Sequence, residues 1–139
     1  MRALLVAVIA AVCLTPALVG AQEPGKICTL IGCSSGVGVN VKSVSQVAGA
    51  KRVTVCVNDT CRRFNTTTSV ARVNAPGLSG DERATVKVVV RGSGDRVLLR
   101  VVRRVALRKL QPNGDGCPPV CWNRSLKLDV SGRRLVAVD

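Results

Sequence analysis

Residues 52–66 read Arg-Val-Thr-Val-Cys-Val-Asn-Asp-Thr-Cys-Arg-Arg-Phe-Asn-Thr, and this stretch predicts a β-hairpin. Val53, Val55 and Val57 alternate with polar residues, which is the two-residue period of a strand with one buried face. Asn58-Asp59 follows as a two-residue turn, and residues 60–66 form the return strand. In this register Cys56 and Cys61 face each other as a non-hydrogen-bonded pair, with Cα atoms about 4.5 Å apart. A local disulfide is therefore feasible.

The same alternation recurs along the chain and predicts further strands. It includes Val37, Val39 and Val41, then Val86, Val88 and Val90, then Leu126 and Leu128, and finally residues 135–138. Loops rich in Gly, Pro, Asn and Asp separate these segments. The chain has one Trp, one Phe and no Tyr, so the core is expected to be aliphatic, with branched side chains that suit a sheet. About seven strands predict an all-β fold, an antiparallel immunoglobulin-like sandwich, with a barrel as the alternative.

Residues 96–110 admit two interpretations. As a strand, the segment places Val97, Leu99, Val101, Val105 and Leu107 on one face, and Arg96, Arg100, Arg104 and Arg108 on the other. As a helix, it gathers its arginines within roughly 140° of arc. The valines and the preceding glycine turn favour a strand with a bulge or bend near Val102 and Arg103, because β-branched residues prefer sheets.

The first 21 residues have the pattern of a signal peptide. Arg2 precedes an almost wholly apolar run from Ala3 to Leu18, and small residues follow at the expected cleavage site. Cleavage after Ala21 leaves residues 22–139 as one β-sandwich domain, which is expected to be secreted without a transmembrane span. An uncleaved membrane anchor is disfavoured by Pro16 and by the sparse flanking charge. Lipid anchoring at Cys33, which ends a lipobox-like Leu-Ile-Gly-Cys, is the alternative.

Six cysteines remain once Cys13 leaves with the leader, namely Cys28, Cys33, Cys56, Cys61, Cys117 and Cys121. An even number in an exported chain predicts three disulfides. Their connectivity stays open, since Cys33 is also able to reach the hairpin turn. Zinc is disfavoured because the pair spacings are four, four and three residues and the chain has no histidine. No metal site and no cofactor are expected.

The chain resembles small exported proteins of high-GC Gram-positive bacteria. The resemblance lies in Cys-Thr-Leu-Ile-Gly-Cys at 28–33, Cys-Val-Asn-Asp-Thr-Cys at 56–61 and Pro-Asn-Gly-Asp-Gly-Cys-Pro-Pro-Val-Cys-Trp at 112–122. It implies a bacterial envelope or extracellular setting. Those proteins are largely uncharacterised, so the resemblance supplies no activity and no functional residue.

The absence of histidine and of paired carboxylates disfavours an enzyme, and no catalytic residue is predicted. The strongest remaining signal is charge. The formal charge is +13; removal of Arg2 leaves 20 basic against 8 acidic residues, or +12. Such a field attracts polyanions, and the row Arg96, Arg100, Arg104 and Arg108 is the predicted binding site. Solvated arginines that protect sheet edges are the competing interpretation.

The expected function is therefore that of an exported, non-catalytic binding or structural module. Its expected partner is an anionic envelope polymer or a surface protein. Specific nucleic-acid binding is not expected, because single-strand binders stack bases on aromatic side chains. A secreted inhibitor or effector that acts through the Cys-rich loop 112–122 is the alternative.

Overall fold

The computed structural model describes residues 27–80 and 83–138, and the predicted leader and mature start lie outside these ranges. Nine strands follow one another along the described residues. They are β1 (Gly36–Asn40), β2 (Arg52–Val57), β3 (Thr60–Asn65), β4 (Val70–Asn74), β5 (Arg83–Arg91), β6 (Val97–Ala106), β7 (Arg108–Leu110), β8 (Cys121–Asp129) and β9 (Arg134–Val138). Two short 3₁₀ turns, Lys42–Gln46 and Ser93–Asp95, are the helical elements of this part of the chain.

The strands form two sheets. The four-stranded sheet has the order β3-β2-β5-β6, and all of its pairs are antiparallel. The five-stranded sheet has the order β4-β1-β8-β7, with β9 also paired to β8. The β1–β8 pair is parallel, whereas the other pairs of this sheet are antiparallel. The predicted all-β, disulfide-stapled sandwich is confirmed, with about nine strands instead of seven.

The core lies between the sheets and is almost entirely aliphatic. Val53, Val55 and Val57 of β2 are fully buried against Val37 and Val39 of β1 in one hydrophobic cluster. Within the described residues no charged or polar residue is buried. Each fully buried valine contributes about 1.5 kcal/mol or more from removal of its apolar surface from water. The two-residue alternation therefore identifies most inward residues correctly; Val97 is an exception, because it pairs with the outward Arg91 and is 42% exposed.

The hairpin prediction holds in detail. Cys56 is paired with Cys61 and Val57 with Thr60 across β2 and β3, and the turn residue Asn58 has a positive φ of 50°. Strand β4 was not predicted. Its inward residues are Ala71 and Val73, and an exposed Val70 precedes them, so its apolar residues do not alternate cleanly in the sequence.

Residues 96–110 are extended, so the helical interpretation is wrong. The predicted bulge near Val102 and Arg103 is also wrong, because the register between β5 and β6 is continuous there. The register shifts instead at the start of β6, where Val90 pairs with Leu99 but the next residue, Arg91, pairs with Val97. One extra residue is accommodated beside the β5–β6 turn, where the chain reverses direction. The chain then crosses between the sheets at the buried Leu107, after which β7 joins the five-stranded sheet.

The six cysteines form three disulfides, as predicted: Cys28–Cys117, Cys33–Cys121 and Cys56–Cys61. The first two bridges span 89 and 88 residues and attach the segment before β1 to the loop that precedes β8 and to Cys121, the first residue of β8. A sulfur in a disulfide cannot also form the thioether of a lipid anchor, so the pairing of Cys33 argues against the alternative of lipid modification. The hairpin bridge has a Cα–Cα distance of 4.0 Å, slightly below the expected spacing.

Candidate anion-binding face

The outward surface of the four-stranded sheet carries a concentration of positive charge. Residues directly opposite each other on paired strands point to the same side of a sheet, and the buried valines mark the inward side. The opposite side chains therefore form one outer surface, here called the basic face. Its basic residues are Arg52, Arg63, Arg83, Lys87, Arg91, Arg100 and Arg104.

Acidic residues are absent from the strands of this sheet, all of which lie in the described ranges. Among the described residues, the two tight turns of this sheet each carry an acidic side chain: Asp59 lies between β2 and β3, and Asp95 lies between β5 and β6. Neighbouring strands lie about 4.8 Å apart, and alternate residues of a strand about 6.7 Å. These distances are shorter than the Debye length of about 8 Å at physiological ionic strength. The fields of adjacent cations therefore add.

The structure separates the four arginines of the predicted row. Arg100 and Arg104 project from the same side of β6 and belong to the basic face. Arg96 lies in the turn before β6, where its backbone N–H bonds to the Ser93 carbonyl. Arg108 lies in β7 of the other sheet, opposite Asn123. Alternation within one segment could not reveal this division, because the chain changes sheets at Leu107.

The cations that sequence reasoning missed come from neighbouring strands. One row of opposite residues crosses the whole sheet, from β6 through β5 and β2 to β3. It consists of Arg100, Val89, Thr54 and Arg63. Val89 points outward yet is only 4% exposed, which requires long neighbouring side chains to lie across it. Such side chains cover apolar surface with their alkyl stems while their charged groups remain in water.

Several of these cations have no internal partner within the described residues. The side chains of Arg63, Lys87, Arg100 and Arg104 make no hydrogen bond or ion pair with the rest of that part of the chain. Arg52, in contrast, pairs with the Asp95 carboxylate. The unpaired groups are available to an external anion.

Two depressions lie at opposite ends of the basic face. One, of about 320 Å³, is lined by Arg52, Thr54, Cys61, Arg63, Arg91 and Asp95. The other, of about 220 Å³, lies at the β6 edge, where the two sheets meet, and is lined by Arg83, Arg103 and Arg104 together with Arg124 and Ala137 of the five-stranded sheet. Arg103 points inward at this edge and donates to the Leu135 carbonyl of β9. The two depressions lie at opposite ends of β5, one at Arg91 and the other at Arg83. These two residues are about 27 Å apart at the usual rise per residue of a strand.

A larger depression of about 570 Å³ lies on the other sheet, between the Lys42–Gln46 turn and the β8–β9 hairpin. Two of its polar side chains, Ser43 and Asp129, are used internally. Ser43 donates to the Leu128 carbonyl at 2.7 Å, and Asp129 accepts from the Gly132 N–H at 2.9 Å. Hydrogen bonds from Gly132, Ser131 and Arg134 hold the pKa of Asp129 below its usual range. This carboxylate therefore organises a turn.

The Cys-rich loop forms a rigid end of the sandwich. Besides the two disulfides, the Asn113 side chain accepts from the Ile31 N–H and donates to the Ile31 carbonyl, both at 3.0 Å. Apolar side chains are nevertheless exposed here, with Leu30 fully exposed, Ile27 at 94% and Val120 at 43%. The loop is thus braced from within, and exposed apolar side chains lie both on the loop, at Val120, and on the bridged segment before β1, at Ile27 and Leu30.

Within residues 27–80 and 83–138, no group of three or more His, Cys, Asp and Glu residues is placed to hold a metal ion. None of the helices in these ranges has the length and apolar character needed to cross a bilayer. The chain matches no protein-family model, no curated protein and no solved structure.

Proposed function

We propose that this chain is an exported, non-catalytic binding module of the cell envelope or extracellular space, and that its basic face binds a linear anionic polymer. The observation that carries the proposal is the composition of the four-stranded sheet. Its strands contain nine basic residues and no acidic one: Arg52, Arg62, Arg63, Arg83, Lys87, Arg91, Arg100, Arg103 and Arg104. The strands of the other sheet carry six basic residues and Asp129.

The shape of the face supports a polymer as the partner. Cation clusters at both ends, about 27 Å apart along a strand, are joined by Lys87 and Arg100 between them. A chain of repeating anionic groups is able to contact all of these positions, whereas a small anion contacts one. Binding displaces the counterions that accompany the polymer, so affinity falls with rising salt concentration.

The chemistry of the face also separates polymer binding from base recognition. Arginine binds oxyanions through paired N–H donors and keeps its charge at all relevant pH values. The outward positions of the four strands hold no aromatic residue, so bases have no ring on which to stack. The expected contacts are therefore with charged groups of the polymer backbone.

The test is retention of the oxidised, exported protein on immobilised linear polyphosphate. Arg100→Glu/Arg104→Glu is compared with Lys109→Glu/Lys127→Glu, which changes the net charge equally on the other sheet. We expect the logarithm of affinity to depend less steeply on the logarithm of salt concentration in the first variant, by about two, because two phosphate contacts are lost. Equal effects in the two variants would show that net charge acts without a defined face. Unchanged retention in both would reject polymer binding.

A second candidate function is supported by the exposed apolar side chains of the stapled end. A braced end of the sandwich that displays Val120 from the loop and Leu30 from the segment bridged to it has the properties of an inhibitor or effector that inserts into a protein partner, because a preorganised surface loses little entropy on binding. Leu30→Ser/Val120→Ser abolishes capture of a partner in this case, while the arginine variants retain it. Capture that depends on the arginines alone excludes the loop.

A further inference from the structure

One end of the basic face contains an arrangement that goes beyond general positive charge. The depression lined by Arg52, Thr54, Cys61, Arg63, Arg91 and Asp95 is here called the Asp95 pocket. It gathers three guanidinium groups from three strands around a half-buried hydroxyl group.

Arg52 and Arg91 are directly opposite each other on β2 and β5. Like charges in this position destabilise a sheet, so the pair needs a counter-charge. Asp95 supplies it from the β5–β6 turn: its carboxylate accepts from Arg52, and its backbone carbonyl accepts from Arg91 Nη1 at 3.0 Å. A single residue thereby orients both guanidinium groups.

The turn that carries Asp95 is built to place it there. Gly94 and Asp95 both have left-handed backbones, with φ of 61° and 63°. The register shift between Val90 and Arg91 lies at the same turn. A non-glycine residue in this conformation is uncommon, although Asp tolerates it better than most. The local backbone thus directs an acidic residue to the paired arginines.

The pocket keeps unused binding capacity. Arg63 lines it from the edge strand β3 and has no partner among the described residues. Three arginines against one aspartate leave a formal charge of +2. Donors from three strands approach from several directions, which suits a group with three or four oxygen atoms more than a planar carboxylate with two.

We infer that the Asp95 pocket is a subsite for one tetrahedral oxyanion, a phosphate or sulfate ester group, with Arg63 and Arg91 as ligands and Asp95 as the residue that positions Arg52 and Arg91. This inference rests on the proposed function, since the ester group belongs to the bound polymer. Such a subsite makes the basic face selective among anionic polymers, in addition to its general attraction for negative charge. Carboxylate polymers bind the face through charge, whereas ester polymers also fill the pocket.

The experiment measures affinity for three polyanions at one salt concentration, namely poly(glycerol phosphate), which is a phosphate ester, dextran sulfate, which is a sulfate ester, and polyglutamate. The variants are Arg63→Gln, Arg91→Gln and Asp95→Asn, with Lys127→Gln on the other sheet as the matched control. Urea midpoints establish that each variant is folded. We expect Arg63→Gln and Arg91→Gln to weaken binding of an ester polymer about tenfold, because each removes a charge-assisted contact. Binding of polyglutamate should change no more than in the control.

Asp95→Asn separates positioning from simple charge. Removal of a negative charge should strengthen polyglutamate binding, but the ratio of ester-polymer affinity to polyglutamate affinity should fall, because Arg52 loses its charged partner while the Asp95 backbone carbonyl still holds Arg91. The ester polymer with the larger loss identifies phosphate or sulfate as the ligand. If the ratio of ester-polymer affinity to polyglutamate affinity in Arg63→Gln or Asp95→Asn stays within about twofold of the wild-type ratio, the change is smaller than the loss of one charge-assisted contact. That result overturns the subsite and leaves the proposed function intact. Failure of the wild-type protein to bind any of the three overturns both.

Discussion

The two long-range disulfides should stabilise the fold in a non-additive manner. Cys28–Cys117 and Cys33–Cys121 join the same two segments, with separations of 89 and 88 residues. In the chain-entropy treatment, closing a loop of that length stabilises by about 4.6 kcal/mol at 25 °C. Once either bridge has formed, the second closes a ring of only about ten residues, which contributes about 2.7 kcal/mol.

The expected costs follow from this nested geometry. Cys28→Ala/Cys117→Ala and Cys33→Ala/Cys121→Ala should each lower the free energy of unfolding by about 2.7 kcal/mol, because the other bridge still closes the long loop. Removal of both bridges should cost about 7.3 kcal/mol, leaving a coupling of about 2 kcal/mol. That total is comparable to the whole stability of many domains, so the quadruple variant should be largely unfolded.

Urea denaturation followed by circular dichroism measures these free energies, with the slope m checked for two-state behaviour. Cys56→Ala/Cys61→Ala is the reference variant, because its bridge spans only 5 residues and should contribute about 2.1 kcal/mol independently of the others. Strict additivity of the two long-range bridges would refute the nested arrangement. So would free thiols at all six of these cysteines in the purified protein.

Two further predictions concern single positions. Gly80→Ala should destabilise the fold by about 1 to 3 kcal/mol and shift the emission of the single tryptophan, because a Cβ at Gly80 would overlap the Trp122 ring; Gly32→Ala, which has open space, should change neither. For Asp129, the Gly132 N–H and neighbouring donors lower its pKa in the folded state, so its stabilising effect is present above the unfolded pKa and is lost as pH falls through the folded value. The melting temperature of wild type should therefore decrease more steeply with acidification than that of Asp129→Asn, and parallel curves would contradict this role.

Local sequence patterns predicted the inward faces because they depend only on strand geometry. Val53, Val55 and Val57 are buried as their alternation indicates, and the two-residue turn placed Cys56 opposite Cys61. The pattern was weaker where the inward residues were small, as in β4. It was misleading at β6, because the bulge lies at the start of this strand, beside the β5–β6 turn, and not near Val102.

The candidate site was only half predictable for a related reason. Arg100 and Arg104 follow from alternation along one segment, but their companions Arg63 and Arg91 belong to other strands, whose position relative to β6 depends on strand pairing. Arg108 was included because the segment was interpreted as one strand, whereas the chain crosses to the other sheet at Leu107. No local signal marks that crossing.

The amino-acid order by itself determined which residues point inward, where the hairpin turns, and that the chain is strongly basic with an even set of bridging cysteines. The tertiary structure decided which strands are neighbours, and with them the pairing of Cys28 with Cys117 and the meeting of Arg52 and Arg91 beside Asp95. The physical reason is one of range. Alternation reflects the conformation of adjacent residues, while strand order depends on how two buried faces pack across the whole core.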